Sequence, residues 1–321
     1  MRYIEVGGVR LSVIGLGTWQ FGSREWGYGD DYARGEAVRI AQRALDLGIN
    51  LIDTAEIYAF GKSERIVGQA IKGRRHEAFI ATKVFPLLPL APIVEQRGRK
   101  SVARLGIDAI DLYQVHWPNP VVPIAPQMQG MRKLVDAGVV RHAGVSNFKL
   151  AQWQAAERAF GGPVLSNQVQ YSLVARGPDQ EVVPWAQAND RLVIAYSPLG
   201  QGLLSAKYDA TNVPGGVRQT NALFLPENLE RAHELLTALR EVAKAHDATP
   251  AQVALAWVIR RPNVVAIPGA SSVDQLVRNA EAAELELSDD EDARLTQASD
   301  HFQPVEGPAA VAKLLRRRLP F

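Results

Sequence analysis

Eight times along the chain, a short β-branched or apolar run ends in polar residues and gives way to a stretch with helical character. The runs are Val13–Trp19, Ile49–Thr54, Phe79–Lys83, Ile110–His116, His142–Asn147, Pro163–Gln170, Leu192–Pro198 and Val264–Gly269. Strands that alternate with helices at this spacing lie parallel and are joined by right-handed crossovers. Eight such units fit a closed (β/α)8 TIM barrel better than an open sheet, and barrels of this length run as single domains. Ahead of them, Tyr3–Val6 and Val9–Val13 flank Gly7 and Gly8 and read as a hairpin. The expected architecture is α/β: one barrel domain over residues 1–321, with an N-terminal β-hairpin, a core at about 10–295 and a C-terminal tail at 296–321.

Helix punctuation supports this reading. Thr249 and Gln252 form a capping-box pair with Pro250 at the first helical position, and Ser272 with Gln275 and Ser288 with Glu291 repeat it. Gly48 and Gly73 read as helix stops.

Composition narrows the function classes. Hydrophobic residues make up 47% of the chain and charged residues 22%, which excludes disordered and fibrous proteins. Lys and Arg number 36 against 34 Asp and Glu, a net +2 that gives no electrostatic case for nucleic acid or a membrane surface. The absence of cysteine excludes disulfides, thiolate metal sites and cysteine nucleophiles, and suits a reducing compartment. The first residues carry charges and paired glycines where a secretory leader needs an apolar run. The apolar stretch from Phe85 to Val94 is broken by Pro86, Pro89 and Pro92 and is too short to span a bilayer. A cytoplasmic protein acting on a small molecule is expected; oligomeric state is not legible.

In a barrel of this kind the site is built from the carboxyl ends of the strands and the loops after them. The runs end at Asp53 (with Tyr58 in its loop), Lys83, His116, Ser146–Asn147 and Gln168. Each alone has a bland reading: a turn, a solvated strand end, a hydrogen-bonded core histidine. Together they make an acid–base device. An isolated tyrosine, at pKa ~10, is a poor proton donor near neutrality. An ammonium beside it lowers that pKa, and a carboxylate holds the ammonium in place. A histidine aimed at the same point orients a carbonyl oxygen. Such a donor works without a metal but needs a bound hydride carrier.

At these residues the sequence resembles the aldo-keto reductase superfamily. The motifs are Gly15-Leu-Gly-Thr-Trp19, Asp53-Thr-Ala-Glu-Ile-Tyr58 leading to Gly61-Lys-Ser-Glu64, Ala81-Thr-Lys83, Ile110–His116, Gly144-Val-Ser-Asn-Phe148, Asn167-Gln168, Ala195-Tyr-Ser-Pro-Leu199 and Ile267-Pro-Gly269. They occur in family order from residue 3 to about residue 290. The resemblance implies NADPH-dependent reduction of aldehydes or ketones to alcohols, with Tyr58 as proton donor, Lys83 and Asp53 tuning it and His116 orienting the carbonyl. It implies that Ser146, Asn147 and Gln168 hold the nicotinamide carboxamide while Tyr196 stacks on its ring. Ser197, Leu199, Gln201 and Gly202 would line the pyrophosphate, and Ser271, Ser272, Gln275 and Asn279 would meet the adenosine end. Gly17, Thr18 and Trp19 from the first run, and Ile267 and Gly269 from the last, complete the cofactor set.

Trp19, Phe85 and Trp117, with Tyr58 and His116, are expected to contact substrate; Phe21 and Trp26 are further candidates for an aromatic wall, with ordinary packing as the alternative. The three prolines of Phe85–Ile93 depart from common members of the family and mark a loop bordering the substrate mouth. At the adenosine end, the helix beginning at Ser272 offers unpaired amides and a positive dipole end, with Arg278 about two turns on. Many family members carry a lysine and an arginine where this chain has Gly269 and Gln275, so NADPH is expected to be preferred over NADH only moderately.

Other motifs are fragments. Gly15-x-Gly17 and Gly200-x-Gly202 do not continue as a dinucleotide fingerprint, and both read as places of close backbone approach. Tyr58 and Lys62 have the spacing of a short-chain dehydrogenase pair, but Gly61 interrupts the helix such a pair needs. Neither H-E-x-x-H nor G-x-S-x-G occurs. Two other classes stay open. One is a cofactor-binding regulatory subunit resembling the β subunits of potassium channels, which would bind without turnover. The other is a metal-dependent barrel hydrolase, which chelators would inactivate.

Overall fold

Alternation along short strands sorts the side chains to two sides of one sheet. The computed structural model describes residues 1–23, 31, 32 and 35–318. After the hairpin β1 (Tyr3–Val6) and β2 (Val9–Ser12) come β3 (Leu16–Gly17), β4 (Leu51–Asp53), β5 (Phe79–Val84), β6 (Ile110–Val115), β7 (Val140–Ser146), β8 (Ser166–Gln170), β9 (Leu192–Tyr196) and β10 (Val264–Ala266). The last eight form one parallel sheet in sequential order. Single bridges Ile14–Ala266 and Gly17–Gly269 join its two ends and close the barrel.

The expected first run, Val13–Trp19, shrinks to a two-residue strand because closure happens there. A Cβ on Gly17 would sit 2.7 Å from the carbonyl oxygen of Ile267. Gly15 N donates to Ala266 O at 2.8 Å and Gly17 N to Pro268 O at 3.2 Å. The half-fingerprint of glycines is thus a seam between two backbones.

Leu51, Ala81, Leu112, Leu165, Leu192, Ile194 and Val265 pack together with Val6 and Leu11 of the hairpin. These alternate residues point inward, and the hairpin plugs the barrel at their amino ends. The hairpin turn needs positive φ at both central residues, which Gly7 (57°) and Gly8 (77°) supply. Outward-facing Ile52, Ile80, Tyr113 and Val115 join a larger layer beneath the helices. Each large aliphatic side chain so buried contributes about 1.5–3 kcal/mol. On the inward face, one step beyond the apolar layer, stand Asp53, Lys83 and Gln114: Asp53 pairs in register with Ala81, and Lys83 with Gln114.

Helices α1 (Glu36–Asp46), α2 (Lys62–Ala70), α3 (Ala91–Leu105), α4 (Ile124–Asp136), α5 (Leu150–Phe160) and α6 (Val182–Ala188) follow β3 through β8 in turn. After β9 come α7 (Pro226–Arg231), α8 (His233–Ala245) and α9 (Pro250–Val258), then α10 (Val273–Glu281), α11 (Asp289–His301) and α12 (Gly307–Arg318). The boxes at Thr249 and Ser288 form in full. At Ser272 only half forms: Ser272 Oγ accepts from Gln275 N, but Gln275 Oε1 turns to Ser271 N (2.9 Å) and Ser271 Oγ (2.8 Å). The proline-rich stretch is also not all loop, since α3 starts at Ala91 and takes Pro92 into its first turn, where a missing N–H costs nothing. The expected end of the core at residue 295 falls inside α11, and Phe302 and Ala310 beyond it are buried. No described helix is long and apolar enough to cross a membrane.

Candidate active site

The barrel mouth opposite the hairpin gathers the polar strand ends around one buried cation. Lys83 Nζ, fully buried at the end of β5, lies 2.6 Å from Asp53 Oδ2, 2.9 Å from Thr54 O and 3.3 Å from Tyr58 Oη. Three donors thus have three acceptors. Asp53 Oδ1 accepts from Gln168 Nε2 at 2.7 Å. Tyr58 reaches this point on a 3-10 turn that follows β4, in which Ala59 and Phe60 both take positive φ (46° and 54°). Strain of this kind in non-glycine residues costs of order 1–3 kcal/mol each and clusters at functional sites.

His116, at the end of β6, presents its ring edgewise to Tyr58, with centroids 5.8 Å apart at 73°. Its other side stacks on Trp117 at 3.8 Å and 8°. Trp117 meets Phe85 edge to face at 5.8 Å. Burial, reinforced by the charge of Lys83, lowers the His116 pKa to about 2, so its ring is neutral. Its Nδ1 is buried and makes no hydrogen bond among the described residues.

Lys83 lowers the Tyr58 pKa as expected, but burial sets the net direction. Burial raises its pKa above the ordinary phenol value, Asp53 adds to that, and Lys83 offsets only part of the rise. Asp53 is likewise raised by burial, with Lys83 and Gln168 opposing. Lys83 is raised: burial works against its charge, but attraction to Asp53 and Tyr58 prevails. The ammonium moderates the phenol rather than making it strongly acidic.

Ser146, Asn147, Gln168 and Tyr196 converge on the far side, and they bond mainly to one another. Ser146 Oγ donates to Gln168 O (2.9 Å), Asn147 Nδ2 to His116 O (3.1 Å), and Tyr196 Oη to Asn147 Oδ1 (2.9 Å). Asn147 takes φ +61° to do so. Tyr196 is thereby pinned by its hydroxyl while its ring stays partly open. Beyond it, Ser197, Gly200, Gln201 and Gly202 all have positive φ, while Leu199 between them keeps φ −104°. Arg218 Nε donates to Gln201 O at 2.9 Å. That cation escaped sequence reasoning because it sits 17 residues downstream in a segment without periodicity.

Other expected residues fall at the edges. The Thr18 hydroxyl is buried between Asp53 O (2.8 Å) and Ser63 Oγ (2.8 Å), so it ties the first strand to the second. Trp19 is half exposed at the mouth. Ile267 is buried, and Gly269 lies against Gln20, whose Nε2 donates to Ala270 O. Asn279 Nδ2 reaches Gly269 O at 3.3 Å. Ser271, Ser272 and Gln275 form the half-box, and Glu36 Oε1 accepts from Val273 N at 3.3 Å. The amide end of α10 is therefore partly occupied by the chain's own acceptors, and Arg278 stands exposed. Phe21 is fully buried against Tyr32 and walls nothing. Trp26 lies outside the described residues.

A closed parallel barrel that gathers an ion pair, a phenol and a neutral imidazole at its carboxyl mouth defines a (β/α)8-barrel enzyme class. The chain belongs to the aldo/keto reductase family, whose model matches residues 13–300, and is an oxidoreductase of that family. An uncharacterized oxidoreductase of Mycobacterium tuberculosis is 52% identical over 320 residues, covering 99% of each chain. Methylglyoxal reductase YeaE of Escherichia coli is 35% identical over 91% of this chain and 92% of its own. The crystal structure of an aldo/keto reductase from Klebsiella pneumoniae with NADP and acetate superposes with a TM-score of 0.75 at 32% identity, covering 92% of this chain and 94% of that one.

Proposed function

We propose that the protein catalyses reversible reduction of an aldehyde or ketone to an alcohol, with NADP(H) as hydride carrier and Tyr58 as proton donor. The observation that carries this reading is the shared ammonium: Lys83 Nζ touches both Asp53 Oδ2 (2.6 Å) and Tyr58 Oη (3.3 Å), with the His116 ring edge-on to the same phenol. A carbonyl oxygen placed between Tyr58 Oη and His116 meets a neutral imidazole and a phenolic O–H. As the carbon is reduced, the oxygen gains negative charge and takes the Tyr58 proton. Lys83 stabilises the phenolate left behind.

The cofactor fits the opposite side of the mouth. The partly open ring of Tyr196, fixed through Asn147, offers a flat face, and the loop from Ser197 to Gly202, with Ser197, Gly200, Gln201 and Gly202 at positive φ, forms a backbone cradle with Arg218 beside it. Tyr196, Ser146, Asn147 and Gln168 would hold the nicotinamide end, the Ser197–Gly202 loop the pyrophosphate, and Ser271, Ser272, Gln275 and Asn279 the adenosine end. Bound there, a reduced nicotinamide supplies the hydride. The NADP-bound Klebsiella relative supports the choice of carrier. With Glu36 already at the amide of Val273, the preference for NADPH over NADH is moderate. Trp19, Phe85 and Trp117 form the substrate side, which favours aromatic or medium-chain aldehydes over sugars. A chain without cysteine suits a cytoplasmic place of action.

The test is NADPH oxidation over a panel of aldehydes, with Tyr58→Phe beside the wild type. Turnover by the wild type and a kcat at least ~10²-fold lower in Tyr58→Phe, with NADPH affinity unchanged, is expected. A fully active Tyr58→Phe refutes the role, and NADPH binding without turnover by the wild type replaces the enzyme with a cofactor-binding regulatory subunit.

A further inference from the structure

The loop that carries Phe85 has no charge of its own. From Val84 to Val94 no Asp, Glu, Lys or Arg occurs. Leu87 and Leu88 are largely exposed, and Leu88 takes φ +46°. The segment's own main-chain bonds are local, Leu87 N to Phe85 O (2.8 Å) and Leu90 N to Leu88 O (2.7 Å), and do not tie it to the barrel. Its main chain is instead gripped from below by an ion pair. Glu56 Oε1 accepts from Phe85 N at 2.5 Å. Arg97, on α3, reaches Glu56 through Nε (3.0 Å to Oε2) and Nη2 (2.7 Å to Oε1). Its Nη1 then donates to Phe85 O (2.8 Å) and Leu87 O (3.3 Å). Both the N–H and the C=O of Phe85 are therefore held by one bidentate pair that is largely sheltered from solvent. Pairs of this geometry are the strong, directional kind.

What the pair fixes continues to the chemistry. The Phe85 ring meets Trp117 edge to face at 5.8 Å, Trp117 stacks on His116 at 3.8 Å, and His116 faces Tyr58. Asn119 Nδ2 donates to Pro86 O at 2.7 Å, so the loop after β6 moves with the loop after β5. Among the described residues, the side chains of Glu56 and Arg97 make no hydrogen bond or ion pair with Tyr58 or His116.

We propose that Glu56 and Arg97 are positioning residues that set the substrate discrimination of this enzyme by fixing Phe85, and through it Trp117, beside His116. The proposal rests on the reading that carbonyl substrates bind between Tyr58 and Trp117. The pair acts on the wall and leaves proton transfer alone. Substrates bulky enough to lean on Phe85 and Trp117 depend on it, and small ones do not.

The test compares benzaldehyde with propanal in Arg97→Met, Glu56→Ala, Glu56→Gln and Glu64→Gln. Glu64 belongs to the neighbouring buried charges, bonding Thr82 (2.8 Å) and Arg104, which itself lies 3.9 Å from Glu56 Oε2, but among the described residues it makes no hydrogen bond to Phe85. In Arg97→Met, KM for benzaldehyde is expected to rise about tenfold, the scale of one lost charge-assisted hydrogen bond. Its kcat, the kcat/KM for propanal and the Kd for NADPH stay within about twofold. Glu56→Ala behaves alike, and Glu56→Gln, which keeps an acceptor for Phe85 N, recovers part of the loss. Glu64→Gln lowers Tm without moving the benzaldehyde-to-propanal ratio. Tryptophan emission shifts in Arg97→Met, and the shift disappears in a Trp117→Phe background. Equal losses on both aldehydes, or the same ratio change in Glu64→Gln, overturn the proposal. If the wild type reduces neither aldehyde, the reductase reading fails, and unchanged Trp117 emission in Arg97→Met overturns the positioning role by itself.

Discussion

Two strand aspartates are buried in this barrel, each paired with at least one cation, and they stand at opposite ends with different surroundings. Asp111, near the amino end of β6, holds Arg75 through Oδ2 (2.5 Å) and Arg141 through Oδ1 (3.0 Å), and also accepts from Ile80 N at 2.7 Å. A cleft of about 460 Å3 lined by Gly73, Arg75, His76, Ala78 and Arg141 lies beside it. Arg75 further donates to Ala78 O and Ala109 O, so its hydrogen bonds run back into the scaffold. Asp53 at the mouth has one cation, Lys83, and that cation has a third partner, Tyr58. The difference lies in what the cation touches next. At the floor the chain of contacts ends in backbone carbonyls; at the mouth it ends in a phenol that can give up a proton.

Breaking the mouth pair has the largest expected effect. Lys83→Met removes the one group that pulls the Tyr58 pKa down, so that pKa climbs further above its already raised value. The limb of alcohol oxidation that needs phenolate should move to higher pH, and kcat for reduction should fall by at least ~10²-fold. Asp53→Asn removes a negative charge that raises the Tyr58 pKa, so the same limb should move less and in the opposite direction, toward lower pH. A pH–rate profile identical in wild type and Lys83→Met would break the distinction between the two aspartates.

The floor pair should answer in stability instead. Asp111→Asn removes the carboxylate that Arg75 and the largely exposed Arg141 share, and is expected to cost about 1–3 kcal/mol, with kcat/KM unchanged. Denaturant unfolding beside steady-state kinetics measures both. A loss of activity in the folded variant would show that the two ends are coupled.

A smaller effect belongs to His116. Its pKa falls from 6.5 to about 2 on folding, so between these values the unfolded chain binds the extra proton. The sign follows: stability is whole above about pH 6.5 and is lost progressively as pH falls toward 2. Tm measured from pH 7 to 4 should decline less in His116→Phe than in wild type. An equal decline in both would place the acid sensitivity elsewhere, His142 included, whose pKa burial also lowers.

The smallest effect is expected at the adenosine end. Glu36 places a carboxylate at the amide end of α10, where a 2′-phosphate would compete with it. Glu36→Gln should raise the NADPH-to-NADH ratio of kcat/KM by severalfold at most, since exposed charges near helix ends contribute about 0.3–1 kcal/mol. A ratio that stays put would remove this helix from cofactor discrimination.

Much of this was legible in the chain alone. The eight runs and their polar ends place Asp53, Lys83, His116 and Gln168 at one mouth, because period-2 alternation and parallel crossovers leave few other arrangements. The collinear motifs named the family, and the glycine pair at 15 and 17 read as close backbone approach, which the seam confirms. Other features depended on contacts between segments distant in sequence. Arg97 lies 41 residues from Glu56, and no periodicity announces that it grips Phe85. Gln275 has the spacing of a capping box, yet Ser271 takes its oxygen. The direction of the Tyr58 shift is set by burial, and burial is a sum over every element around the mouth. Local pattern determines which side of a strand a residue faces and where a helix starts. How deeply a charge is buried, and what its partner touches next, is decided only when the barrel closes.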